Sequence, residues 1–309
     1  MRAIVYKSTG SWYIVKNELG QVFNARIKGK FKIDNITSTN PIAVGDVVNI
    51  ENEEDIESTV ITAIEERRNY INRTSPHNKN QHHIVASNLD QTLLIATIKD
   101  PKTSTGFIDR FLITAEAYRV PAIIVFNKID LLKSKDLEKI EEVKKRYEDI
   151  GYKVLAVSIK ENKGLDEIKE ILKNKTTLLS GHSGVGKSTF INHLFPEYNL
   201  RTKDVSDWSG KGMHTTTFAE MFDLKDGGSI IDTPGIRELG LFDMDKRELA
   251  HYFPEMRAIM HDCQFNNCVH INEPGCAIKN AVELPHNSIS MERYISYLTI
   301  FESIEDVSF

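Results

Sequence analysis

The 309-residue chain is 40% hydrophobic and 27% charged, with a formal net charge of −5. It is too long for one ordinary core and reads as two or three soluble domains of roughly 100–200 residues each. Its longest apolar runs, Leu93-Leu94-Ile95-Ala96 and Ala122-Ile123-Ile124-Val125-Phe126, fall short of the roughly 20 residues of a membrane span, so no membrane partner is expected. Met1–Lys7 has no signal-peptide core, which predicts a cytoplasmic protein. All three cysteines lie in residues 263–276, which argues against a disulfide framework and for a clustered role.

Residues 1–70 alternate in the manner of short strands: Ala3/Val5, Tyr13/Val15, Val22/Ala25, Val44/Val47 and Val60/Ile61/Ile64. Five strands with a longer connection at 28–43 predict a small barrel of the oligonucleotide-binding (OB) type. Residues 1–34 hold seven Lys/Arg against Glu18 and Asp34, a local balance of +5. On such a barrel Lys28, Lys30 and Lys32 would form a basic face with Tyr13, Phe23 and Phe31 available to stack on bases. The alternative is a basic face that is merely solvated. The acidic run Glu51–Glu57 reads as solvated loop. Residues 71–88 are polar and read as a structure-poor linker; His82-His83 within it is either a contact site or solvated.

From residue 89 strands and helices alternate: strand 92–98, helix 107–119, strand 122–126, helix 136–149, strand 153–157, helix 165–173, strand 176–180 and helix 187–195. This predicts a mostly parallel sheet with helices on both faces and ligand loops at the carboxyl ends of its strands. Asn127-Lys128-Ile129-Asp130 follows one strand. Its aspartate can accept from the N1–H and exocyclic amine of guanine, whereas adenine would leave the carboxylate unpaired. The same letters also suit a capped, lysine-rich helix start. Ser158-Ile159-Lys160 follows the next strand, where a backbone N–H can meet the guanine carbonyl.

Gly181-His182-Ser183-Gly184-Val185-Gly186-Lys187-Ser188 fits the phosphate-loop pattern G-x-x-x-x-G-K-[ST] between a strand and a helix. Glycines there aim N–H groups at phosphates, Lys187 adds a positive charge, and Ser188 can ligate Mg²⁺. Gly181 through Thr189 are the candidate phosphate contacts; the competing reading is a glycine-rich turn without a ligand. Gly210-Lys211-Gly212-Met213-His214-Thr215-Thr216-Thr217 suits a switch whose threonine, taken as Thr216, clamps Mg²⁺, against a plain surface loop. Asp232-Thr233-Pro234-Gly235 ends the strand Ser229-Ile230-Ile231: Asp232 can hold Mg²⁺ through water and the Gly235 N–H can contact a γ-phosphate.

Residues 246–309 open with a helix over Lys246–Phe253, followed by Cys263-x4-Cys268-x-His270-x5-Cys276. Three thiolates and an imidazole would close a tetrahedral structural Zn²⁺ site, the alternative being buried free cysteines. A last helix, about 290–304, repeats Tyr294, Tyr297/Leu298, Phe301 and Ile304 on one face and is expected to dock on its own domain.

These motifs resemble those of the Ras-like GTPases, but Asn127–Asp130 and Ser158 precede the phosphate loop, as in a circularly permuted GTPase. With a basic barrel before it and a Cys–Cys–His–Cys pattern after it, the chain closely resembles, over nearly its whole length, the ribosome small-subunit-dependent GTPase A family of bacteria. The resemblance implies a barrel at 1–70, a linker at 71–88, a permuted GTPase domain at 89–245 and a zinc-binding domain at 246–309. It implies a monomer that binds the small subunit and its 16S rRNA late in maturation and hydrolyses GTP when that subunit stimulates it. Rival classes are an ATP-dependent phosphotransferase and an RNA-binding module with a vestigial pocket. Lys187, Ser188, Thr216 and Asp232 would form the clamp. His214 is the nearest candidate to position water, since Ile236 stands where many Ras-like enzymes carry glutamine and cannot do so. Met213 departs from the basic residue typical of the family. Chain order predicts that a shift at Gly235 would pull directly on the C-terminal region.

Overall fold

The computed structural model describes residues 1–28, 41–53, 58–74, 82–196, 219–233, 244–283 and 289–304. Strands β1 (Arg2–Ser8), β2 (Tyr13–Asn17), β3 (Val22–Ile27), β4 (Val47–Glu53) and β5 (Ser58–Ile64) form the N-terminal barrel. Their order is β1-β2-β3-β5-β4, and β4 returns to pair with β1. The pairs are antiparallel except β3–β5, which is parallel. This is the OB-type closure. Its interior is apolar because every second residue points inward: Val5, Val15, Ala25, Val48 and Ile61 have no exposed surface.

The stretch expected as a linker is instead a hairpin. β6 (Tyr70–Thr74) pairs antiparallel with β7 (His82–Ser87). Ile71 and Ala86 are fully buried, so a few apolar positions in polar sequence suffice to hold it on the core. The His82 and His83 side chains lie outside the described residues. Asp46, just before β4, ties hairpin to barrel: it accepts from Arg67 Nε at 2.7 Å and Nη2 at 2.6 Å, from the Ala43 N–H at 2.8 Å and from Ser87 Oγ at 2.6 Å.

The central unit has the predicted alternation: β8 (Gln91–Ala96), α1 (Thr105–Ala117), β9 (Ala122–Phe126), α2 (Ser134–Glu148), β10 (Lys153–Ala156), α3 (Leu165–Leu172), β11 (Thr176–Ser180), α4 (Lys187–Leu194), β12 (Glu220–Asp223) and β13 (Ser229–Asp232). The sheet order is β10-β9-β8-β11-β13-β12, parallel except for β12. Because neighbouring side chains on a strand point to opposite faces and helices cover both, the strand centres are apolar on both faces. Leu94, Ile124, Phe126 and Leu178 pack under α1 and α2, whereas Leu93, Ile95, Val125 and Leu179 pack under α3 and α4. The sheet continues into the barrel where β12 pairs antiparallel with β1 through Lys7 and Glu220.

The C-terminal region carries α5 (Pro254–Arg257), α6 (Ala277–Glu283) and α7 (Met291–Ser303). The helix expected over Lys246–Phe253 is a 3-10 segment, Lys246–Tyr252. As expected, the face repeating Tyr294, Tyr297/Leu298, Phe301 and Ile304 docks inward: Tyr297 and Ile304 are buried with Ile300, Phe253 and Met256, and Tyr294, Leu298 and Phe301 pack half-buried against them. This cluster also takes in Ile113 of α1, so the domain is cemented to the nucleotide unit.

Asp46→Ala leaves the Arg67 guanidinium, only 12% exposed, without its carboxylate. Breaking such a pair is expected to lower stability by about 3 kcal/mol, toward the smaller end of the range for buried pairs. A loss of unfolding free energy under about 0.5 kcal/mol by urea titration, on the order of a neutral surface change, would contradict the role given to Asp46.

Candidate nucleotide and metal sites

The carboxyl ends of β9, β10 and β11 bring the predicted nucleotide motifs together. Gly181, Gly184 and Gly186 have φ of +140°, +84° and +106°, conformations that disfavour a side chain. A Cβ at Gly181 would lie 2.3 Å from the Ile95 carbonyl oxygen, and one at Gly186 would lie 2.4 Å from Asn127 Nδ2. Val185, fully buried, anchors the loop in the core beneath. Lys187 Nζ donates to the carbonyls of Gly181 and His182 at 2.5 and 2.8 Å. Ser183 and Thr189 are exposed and Ser188 is half-buried.

Asn127 joins three strand ends. Its Nδ2 donates to the Val185 carbonyl at 2.8 Å, and its Oδ1 accepts from the Ile159 N–H at 3.1 Å. Lys128, in the left-handed region at φ +66°, sends Nζ to the Asp100 carbonyl at 2.5 Å. Ser158 Oγ donates to Asp130 Oδ1 at 2.6 Å and accepts from the Glu161 N–H at 3.2 Å. Serine thus sets the direction of a half-buried carboxylate through one of its two oxygens.

Asp232 lies at the end of β13. Burial raises its pKa, and the opposing influence is the nearby Lys187 ammonium. Burial conversely lowers the pKa of Lys187, opposed by Asp232. Asp232 Oδ1, Thr233 Oγ1 and Ser180 Oγ are buried with no hydrogen-bond partner. Such groups are costly to bury unsatisfied, and they fit a hydrated cation beside bound phosphates. The His182 ring packs on Phe107 with centroids 3.7 Å apart; burial foremost, then Lys187, lowers its pKa. Met213, His214, Thr216, Gly235 and Ile236 lie outside the described residues.

In the C-terminal domain, ligand atoms of Cys263, Cys268, His270 and Cys276 lie within 4.8 Å of one another. His270 Nδ1 sits 3.6 Å from Cys263 Sγ and 3.5 Å from Cys276 Sγ, so Nδ1 is the nitrogen turned toward the thiols. Burial pushes the Cys268 thiol up to about 12 and raises that of Cys276. A cation among them reverses this by stabilising the thiolates. Three sulfurs and one imidazole, with no further donor grouped with them among the described residues, fit one structural zinc ion.

The barrel corrects the expectation about stacking aromatics. Tyr13 is buried inside at 1% exposure and Phe23 packs against the same core. Lys28 is exposed, while Lys30, Phe31 and Lys32 lie outside the described residues. Among the described residues the exposed barrel aromatic is Trp12, at 52%, in the turn between β1 and β2; a lone tryptophan among turn residues was the signal available.

A family model described as RsgA GTPase matches residues 64–242, and one described as the RsgA N-terminal domain matches residues 3–60. The small ribosomal subunit biogenesis GTPase RsgA of Flavobacterium psychrophilum is 52% identical, over 99% of this chain and 94% of that protein. The small ribosomal subunit biogenesis GTPase RsgA 2 of Bacteroides thetaiotaomicron is 50% identical, over 99% and 98%. Among solved structures, YjeQ from Thermotoga maritima is 34% identical with a TM-score of 0.77, covering 98% of this chain and 97% of that one. YloQ, described as a circularly permuted GTPase, is 29% identical with a TM-score of 0.74, covering 98% and 94%.

Asn127→Ala removes the tie between the loops, and calorimetry is expected to show GDP affinity reduced by about 10- to 100-fold, the worth of one or two buried hydrogen bonds. Unchanged affinity would rule the tie out. Purified protein is expected to hold one zinc per chain by elemental analysis. Cys276→Ser is expected to lower that occupancy and, through loss of the metal's folding free energy, the Tm; full occupancy at an unchanged Tm would contradict the assignment.

Proposed function

The chain belongs to the RsgA GTPase family and hydrolyses GTP in small ribosomal subunit biogenesis, and we propose that it works as a cytoplasmic, monomeric switch that binds 16S rRNA and is accelerated by the subunit. The observation that carries this reading is the convergence of Asn127, Asp130, Ser158, the 181–188 loop and Asp232 at one sheet edge, with a barrel on the same sheet. The domain division proposed is a barrel at 1–70, a GTPase domain at 89–245 and a zinc domain at 246–309, with the 71–88 segment a hairpin at the junction. No described helix is long and apolar enough to cross a membrane.

Asp130, aimed by Ser158, accepts from the guanine N1–H and amine, and Lys128 flanks the base. The N–H groups of residues 181–189 and the Lys187 ammonium surround the phosphates. Ser188, Thr216 and Asp232 would hold Mg²⁺, which when bound offsets phosphate negative charge. By their place in the sequence, the Gly235 N–H would contact the γ-phosphate and His214 is the candidate to orient the attacking water. Ile236 stands where many Ras-like enzymes carry a water-orienting glutamine and cannot take that role, so isolated turnover is expected to be slow until a partner accelerates it.

Steady-state GTP hydrolysis with purified small subunits tests the reading, with large subunits and ATP as controls. Stimulation on the order of 10³-fold is expected from small subunits alone, as a trans-acting partner supplies in this enzyme class. Equal rates with and without small subunits would contradict it. His214→Ala is expected to abolish most of the stimulated rate while leaving GDP affinity unchanged; an undiminished stimulated rate would remove His214 from the mechanism.

A further inference from the structure

Helix α1 meets the phosphate loop and the C-terminal domain within a single turn. At Phe107 its ring packs on His182 of the loop, centroids 3.7 Å apart. Two residues later the Asp109 carboxylate, 1% exposed, accepts from Arg293 Nη1 at 2.7 Å and from the Tyr147 hydroxyl at 2.8 Å, and also from the Ser296 hydroxyl. Arg293, itself 1% exposed, gives Nε and Nη2 to Glu255 at 2.6 and 3.2 Å. Its guanidinium carbon lies 4.6 Å from the Phe253 ring centroid. Asp109 belongs to the nucleotide unit; Arg293 and Ser296 of α7 and Glu255 of α5 belong to the C-terminal domain.

Two carboxylates share one guanidinium in a site closed to water, an arrangement that adhesion alone would not favour over apolar packing. What it adds is direction. Bidentate and single-point bonds to a planar fork fix how α1 is rotated, whereas the Ile113 contact four residues on would tolerate sliding. A rotation of α1 that strained the Asp109 bonds would swing Phe107, on the same turn, away from His182.

We propose that Arg293 is a positioning residue for nucleotide binding: by holding Asp109 it holds α1, and through Phe107 it holds the phosphate loop in its binding geometry. Docking of the C-terminal domain and nucleotide affinity are then coupled, each strengthening the other by the same factor. The inference rests on the nucleotide site described above.

The test uses the full-length, zinc-loaded protein and fluorescently labelled GDP. Arg293→Met and Asp109→Asn are expected to speed GDP dissociation about tenfold, a typical coupling between linked sites, with Arg293→Lys falling between them and the wild type. Phe107→Leu should act likewise, and Phe107→Leu with Asp109→Asn should dissociate no faster than either alone, since both act through α1. A lower Tm with unchanged GDP dissociation, or effects that multiply in the double variant, would overturn the proposal by making the network purely structural. Wild-type protein gives a readout independent of any variant's folding: saturating GDP is expected to slow amide exchange in 291–303 about tenfold, and unchanged exchange there would also overturn it. Failure of wild-type protein to bind labelled GDP would instead bring down the site reading beneath it.

Discussion

The Asn127 side chain ties together loops that leave three different strands, with Nδ2 on the Val185 carbonyl and Oδ1 on the Ile159 N–H. The Asn127–Asp130 and Ser158–Lys160 segments, proposed to read guanine, come before the phosphate loop, and no short connection carries one to the other. A buried hydrogen-bonded amide takes over that task. Gly186 is part of the same constraint, because a Cβ there would strike the amide nitrogen that makes the tie. Ser158, which aims Asp130, starts the loop that Asn127 holds through Ile159. The proposed base and phosphate contacts are therefore held together by one polar side chain and its neighbours.

The order of the chain also decides what the nucleotide unit can reach. At one end of the sheet β12 pairs with barrel strand β1, and Asp223 accepts from the Tyr6 hydroxyl at 2.7 Å and Lys16 at 2.5 Å. Lys7 and Glu220 pair beside them at 2.9 Å. These ions are part-exposed, and each adds little stability alone. Their effect is to seat the barrel against the strand next to β13, which ends at Asp232. On another side α1 carries the C-terminal domain through Asp109 and Ile113. The barrel and the C-terminal domain thus attach to elements one step from the proposed phosphate site.

The nucleotide motifs were legible because each is contiguous: a loop of eight residues, a tetrapeptide after a strand, an aspartate at a strand end. The alternation of β8–β11 with α1–α4 was legible for the same reason, each apolar stripe matching its own period. The Cys–Cys–His–Cys spacing spans 14 residues and needed no tertiary knowledge. What failed was decided at a distance. Residues 71–88 look polar, yet Ile71 and Ala86 are enough for a hairpin once a core lies beneath them. Tyr13 shares the inward phase of Val15, so the alternation that predicted its strand also buries it and withdraws it from stacking. Arg293 meets Asp109 across 184 residues, and their only local sign is a charge set within an apolar helical pattern.

In the proposed function the site reads guanine through Asp130 on a scaffold closed by Asn127. Calorimetric titration of the zinc-loaded protein with GDP and with ADP tests it most directly. Selectivity for GDP of at least about 10³-fold is predicted, because adenine leaves the Asp130 carboxylate and its neighbours unpaired. Comparable affinities for the two nucleotides would contradict it.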